Sequence, residues 1–285
     1  MNQILKMYYG IETNQQIGYF CYRDELYYFC YVQDIKKFLD VYRFYCFCMH
    51  QCHHQGYTIV KNNNQDIVSQ QHVLLQYHQG SFSFPDYLHI FLQPLPYQHI
   101  SIKDIKESWI QKIDIARECI KDYAYSFKHD QDVISLTYYY CGLAENSINV
   151  LNEILRMSSH ATIPLSLALS SPINNHVYEI VNPAIYTLSS RCRHIVYLWK
   201  SRLLSIEQIK EMIESYYFDV YELIYLYARM LYPSSYFDDL INRRIEANDI
   251  QNYYFSLSYE RECYKELYYI LSYYVSLPKI DWINT

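Results

Sequence analysis

Glycine is scarce in this chain: 5 residues in 285, namely Gly10, Gly18, Gly56, Gly80 and Gly142, no two of them closer than eight positions. Motifs such as GxGxxG and GxxxxGK[ST] need the bare backbone amides of closely spaced glycines against phosphate, so dinucleotide-fold and P-loop chemistry are excluded. An excess of basic charge is missing as well. With 24 basic against 30 acidic residues and a net charge of −6, the chain has no positive footprint of the kind that drives general nucleic-acid binding by counterion release. No uncharged apolar run reaches the roughly 18 residues of a membrane span. The first residues, MNQILKMYYGIETNQQ, hold one lysine and no continuous apolar stretch, unlike a secretory signal. The nine cysteines are odd in number and scattered, which reads as reduced, mostly buried thiols and a cytosolic setting.

What is abundant is apolar and aromatic. The apolar set is 51% of the chain and tyrosine alone supplies 36 residues. That is ample material for a core, at a length that allows one large or two modest domains. Tyr, Ile and Asn are common where Gly, Pro and Ala are sparse, the bias expected of an AT-rich coding sequence.

The first eighty residues read as sheet, helix, sheet. Short strands are expected in ILKMYYG, IGYFCYR and ELYYFCYV, separated by the polar turns ETNQQ and DE. From Asp34 the period turns helical, with Ile35, Phe38, Leu39, Tyr42, Tyr45 and Cys46 on one face up to about Gly56. YTIV and IVSQQHVLLQYHQ then form a second strand pair around an Asn-rich turn. Three of the eight prolines fall between Gly80 and Tyr97, and a lobe boundary is placed there, giving a β-rich lobe over 1–95 and a helical lobe over 96–285. In the second lobe Ser101 caps a helix with the face Ile102, Ile105, Trp109, Ile113, Ala116, Ile120, Tyr123 and Phe127. A helix over 132–157 follows, then an irregular stretch of strand-length apolar runs at 158–190, then helices to the end. The order predicts an α+β, bilobal, protein-kinase-like fold.

Three segments carry a family resemblance: YYYCGLAENSINVL (138–151), SSRCRHIVYLWK (189–200) and YLYARMLYPSSYFDDL (225–240). In order and spacing they resemble the spore coat YutH/CotS family of low-GC Gram-positive spore formers, proteins similar to aminoglycoside and choline phosphotransferases. The resemblance implies a kinase-like fold, other spore coat proteins as partners, and a path from the mother-cell cytosol to the coat.

The catalytic set of that fold is not found. Phosphoryl transfer needs a base Asp, an Asn and a second Asp for metal, and a β-lobe Lys for the nucleotide phosphates. There is no aspartate between Asp132 and Asp219. An HGD motif, expected about Leu165–Ser170, is replaced by apolar and hydroxyl residues, and the second-Asp strand reads EIVNPAIY. Asn174, Asn175 and Glu179 are the remaining conceivable metal contacts. ELYYFCYV carries no lysine, and Lys36 and Lys37 lie beyond it. The expectation is a non-catalytic kinase-fold protein without cofactor, with an atypical small-molecule phosphotransferase as the alternative.

Other clusters are weighed the same way. In CFCMHQCHH, the residues Cys46, His50 and His53 would share a helical face and are the candidate metal ligands, with Cys48, Cys52 and His54 beside them. No second CxxC-type knuckle lies nearby, and Cys46 continues an apolar stripe, which favours a core thiol. Arg191, Arg193 and His194 open a helix, where positive charge gains nothing from the dipole; pairing with acidic residues is favoured over an anion-binding remnant. Arg229 is expected to be buried against a carboxylate such as Asp238 or Asp239, with Glu145 and Asn146 in hydrogen bonds inside the lobe. Tyrosine doublets cannot bury both rings, so one ring of each is expected outside as contact surface.

Overall fold

The computed structural model describes residues 3–14, 17–51, 53–80, 88, 91–123, 128–173 and 176–283. The chain divides into two compact units, Met1–Leu95 with Ser166–His194, and Pro96–Leu165 with Ile195–Thr285.

The first unit opens with a helix, α1 (Gln3–Tyr9), where the aromatic content had predicted a strand. The deciding signal is Gly10. Its φ of 67° is open to glycine without a Cβ penalty, and its N–H donates to the Lys6 carbonyl while Ile11 returns to Leu5, ending a helix in the usual left-handed way. The strands β1 (Gly18–Tyr22) and β2 (Glu25–Tyr31) form the expected hairpin, with Tyr22 opposite Glu25. Its two-residue turn, Arg23–Asp24, has φ of 52° and 63°, the doubly left-handed geometry that matches strand twist and prefers glycine or asparagine. Replacing Asp24 by glycine is therefore expected to stabilise the protein by about 0.5–1 kcal/mol in urea unfolding; an unchanged midpoint would mean that Asp24 relieves the strain itself.

Helix α2 (Ile35–Gln51) follows, then β3 (Tyr57–Ile59) and β4 (His72–Tyr77), making one antiparallel sheet in the order β1-β2-β4-β3. Side chains alternate across β2. Tyr27 and Phe29 join Leu5, Ile11, Phe20 and Leu74 in a buried cluster, which leaves Tyr28 and Cys30 on the opposite face. Gly56 is required for a different reason: φ is 59° and a Cβ there would lie 2.0 Å from the Tyr45 hydroxyl, which accepts the Tyr57 N–H at 2.9 Å and so fixes α2 to β3.

The second unit is helical. Strand β5 (His99–Ser101) leads directly into α3 (Ile102–Cys119), capped by Ser101 as expected and burying Ile102, Ile105, Trp109, Ile113 and Ala116. Phe127 of the expected face lies outside the described residues. Helix α4 (Lys128–Met157) is next, then β6 (Thr162–Pro164), which pairs with β5.

Residues 166–194 return to the first unit. Here β7 (Ser166–Leu169) pairs antiparallel with β8 (Tyr186–Ser189), and between them lies the short α5 (Val177–Ile180). The boundary falls within α6 (Arg191–Lys200). The remaining helices are α7 (Ile206–Ser215), α8 (Val220–Leu231), α9 (Ser234–Ile241) and α10 (Ala247–Ser272). Ser205 with Gln208 and Asp219 with Glu222 form reciprocal capping boxes at the starts of α7 and α8, satisfying amide groups a helix start leaves open. Among the described residues no helix is long and apolar enough to cross a membrane.

Candidate functional site

A cleft of 610 Å³ lies wholly inside the first unit, a size within the ordinary range for small-molecule sites. One wall is β2, with Tyr28 and Cys30 on the face turned away from the Phe29 cluster and Tyr31 at the strand's end; the next is the start of α2, with Asp34, Lys37 and Phe38. The third comes from the segment that should carry phosphoryl-transfer carboxylates: Ser170 directly after β7, and Ala184, Tyr186 and Thr187 on the approach to β8 and in it.

These walls mix aromatic and hydroxyl side chains with one lysine and one aspartate. Burial pushes the Cys30 thiol up to about 12, so it stays protonated and inert at neutral pH. Asp34 accepts the Lys37 N–H at 3.0 Å, acting as a helix cap. Ser170 is tied to the Ile185 carbonyl by both its N–H and its hydroxyl, each at 2.8 Å. Among the described residues of the cleft, Lys37 is the one cation and Asp34 the one carboxylate. Asn174 and Asn175 lie outside the described residues.

Magnesium holds a nucleotide triphosphate through carboxylate and phosphate oxygens in octahedral geometry. A single capping aspartate, hydroxyls already donating to backbone, and a lysine on a helix instead of on β2 do not fit that group. No phosphoryl-transfer step can be assembled from these residues.

The start of α6 grips the same segment. Arg193 donates through Nε to the Leu169 carbonyl (3.1 Å) and through Nη2 to that of Ser170 (2.9 Å), and the Leu169 N–H reaches His194 Nδ1 at 3.3 Å. The sequence favours acidic partners for this group; these contacts are to the backbone at the end of β7, and Arg191 Nη1 donates to the Leu92 carbonyl at 3.5 Å. His194 is fully buried, with its ring near Phe91 and Tyr186. Burial pulls its pKa down to about 3, so the ring is neutral, with Nδ1 as acceptor.

Several expected residues stand apart from the cleft. Arg229 is buried, but its Nη2 donates to the hydroxyls of Tyr197 (3.0 Å) and Ser234 (3.1 Å), and the guanidinium lies among the rings of Trp109, Tyr197 and Tyr232. Asp238 pairs with Lys112 and Asp239 with Arg244, so the expected carboxylate partner of Arg229 is corrected to hydroxyls and aromatic faces. Glu145 is exposed and paired with Arg117 across α3 and α4, not buried within the lobe. Asn146 lines a shallow groove beside Tyr138, Tyr139 and Trp282.

The metal candidates are dispersed by the end of α2 at Gln51. Beyond it His53 adopts φ 58°, off the helical face of Cys46 and His50, and among the described residues no three metal-ligating side chains come together. Cys46 is half-buried, Cys48 is buried, and Cys52 lies outside the described residues. The tyrosine doublets divide as expected at Tyr216–Tyr217, Tyr253–Tyr254 and Tyr268–Tyr269, one ring covered and one exposed; Tyr273 and Tyr274 are both exposed.

Sequence reasoning missed Tyr28, Phe38, Tyr186 and Thr187 as cleft residues. Strand alternation gives the facing of Tyr28, but no local signal joins β2, α2 and β8 around one space.

No protein-family model and no curated protein matches the chain. A solved structure does: the crystal structure of aminoglycoside phosphotransferase from Alicyclobacillus acidocaldarius subsp. acidocaldarius DSM 446 is similar at a TM-score of 0.59 and 9% sequence identity, over 96% of this chain and 98% of that one. The chain has an aminoglycoside phosphotransferase-like fold, mixed α and β with a small antiparallel sheet and a helical bulk.

Proposed function

We propose that this is a kinase-fold protein, bilobal in the manner of that fold, which does not transfer phosphoryl groups. The observation that supports this best is the third wall of the cleft, where Ser170, Ala184, Tyr186 and Thr187 stand in the segment that should supply two aspartates. The replacement is chemical as well as positional. Hydroxyls that donate to backbone carbonyls cannot accept the substrate proton, and cannot offset magnesium charge.

The competing reading, an atypical small-molecule phosphotransferase, draws on the structural likeness to a phosphotransferase. Fold is a weak guide to activity. The two separate on one measurement: Mg-ATP is expected to leave the thermal midpoint unchanged and to give no ADP above buffer in the presence of kanamycin or choline. ADP formation that follows the protein through purification would make the chain an enzyme.

A role in the spore coat, reached from the mother-cell cytosol and with other coat proteins as partners, is the finer part of the proposal. It draws on the three matched segments and on the exposed tyrosines, amphipathic rings of the kind enriched at protein contacts. A fluorescent fusion that stays diffuse through sporulation, or a source that forms no spores, would remove it without touching the argument about catalysis.

A further inference from the structure

From the lining of the cleft in the first unit we infer that it binds a planar aromatic small molecule, neutral or carrying one negative charge, without a metal ion. The inference rests on the non-catalytic reading above and names the ligand class of that same cleft.

Three observations carry it. The cleft is of ligand size, 610 Å³ and open to solvent between β2, α2 and β8, within the ordinary range of small-molecule sites. Aromatic residues recur in its lining, with Tyr28 on β2, Phe38 on α2, and Tyr31 and Tyr186 at the ends of β2 and β8. Aromatic faces favour a planar guest, by stacking or edge contacts at ring separations of about 4.5–7 Å. Charge then selects among planar guests. Asp34 is engaged by the Lys37 backbone N–H, while the Lys37 side chain is exposed at the rim with no partner among the described residues. One ammonium on a flexible stem suits one sulfonate, carboxylate or phenolate oxygen. It does not suit a triphosphate, for which the cleft supplies neither a metal cage nor a glycine-rich cover.

Binding involves no bond making. The guest displaces water from the cleft, and its anionic edge meets Lys37 at the open side.

Two probes test this on the full chain in EDTA: 1-anilinonaphthalene-8-sulfonate, a monoanionic aromatic fluorophore, and adenosine, neutral and planar. The expected result is saturable 1:1 calorimetric binding of the sulfonate, unchanged when magnesium replaces EDTA. Ala184→Trp, which puts an indole into the cleft, should weaken both probes at least tenfold. Lys37→Glu, at an exposed position that leaves folding intact, should weaken the sulfonate about tenfold and adenosine by less than twofold. Binding that survives both substitutions unchanged lies elsewhere and overturns the inference, as does the absence of saturable binding for either probe. Failure here with no ATP turnover leaves the non-catalytic reading standing, and ATP turnover with no metal-free binding overturns both.

Discussion

Arg229→Ala is expected to lower the unfolding free energy by about 3–4 kcal/mol, and Arg229→Met by only about 1 kcal/mol. The difference follows from what surrounds the guanidinium. Its hydroxyl partners, Tyr197 and Ser234, are themselves 3.0 Å apart and hydrogen-bonded, so removing the arginine leaves neither of them orphaned. What alanine loses is volume between Trp109, Tyr197 and Tyr232, plus the attraction of a desolvated cation for three rings, worth about 2 kcal/mol in such settings. Methionine refills most of the volume and relieves a charge whose Nε is buried without a partner. A buried ion with no carboxylate beside it is costly, so exchanging it for a thioether that packs well against rings nearly balances. Asp238→Asn distinguishes this account from an ion pair. Asp238 forms a partly exposed pair with Lys112, and its loss should cost less than about 1 kcal/mol. If Asp238→Asn matched the alanine variant in urea unfolding, the ion-pair reading would return. A second readout is Lys200, whose pKa is lowered first by burial and also by Arg229, against an opposing pull from Glu260; it should rise in Arg229→Met.

Arg229 also marks the limit of what the residues told in advance. That it would be buried was legible, because it sits among Leu226, Ala228 and Leu231 in a stretch, Leu223–Leu231, otherwise made of apolar and tyrosine residues. Its partners were not, because Tyr197 and Trp109 come from helices far away in the sequence, and spacing along a chain gives the facing of a side chain but not what it faces. The same division holds elsewhere. Ser101 as a cap and the α3 stripe as far as Ala116 are local facts and read correctly; the apolar period of α10 is weak over Gln251–Ser256, and the helix from Ala247 is set by packing and by the Glu246–Asp249 capping box. The α1 helix was misread because tyrosine content outweighed a stop signal, Gly10, that was present in the sequence. The missing aspartates were visible as an absence, and that absence needed no structure. The cleft did, since its lining comes from three separated segments.

His194 gives the second large effect, as acid sensitivity. Its folded pKa is about 3 against an ordinary 6.5, so below pH 6.5 the unfolded chain takes up a proton that the folded chain refuses until far lower pH. Stability is therefore present in full above pH 6.5 and is lost as pH falls from there toward 3, by up to about 1.4 kcal/mol for each pH unit. Between pH 6.5 and 4.5 the residue should contribute a loss of about 2–3 kcal/mol. His194→Gln keeps a side-chain oxygen for the Leu169 N–H and cannot titrate. Its stability at pH 6.5 is expected to be lower than that of the parent, through poorer packing against Phe91 and Tyr186, but the difference between the two proteins should shrink steadily as pH falls. Urea unfolding at pH 6.5, 5.5 and 4.5 reads this directly, because carboxylates common to both proteins cancel in the difference. Parallel profiles would mean that His194 takes up its proton in the folded state. The strand end it holds is Leu169, the last residue of β7 before Ser170, so the wall of the cleft should loosen over the same pH range, and hydrogen exchange at the Leu169 amide should accelerate before global unfolding begins.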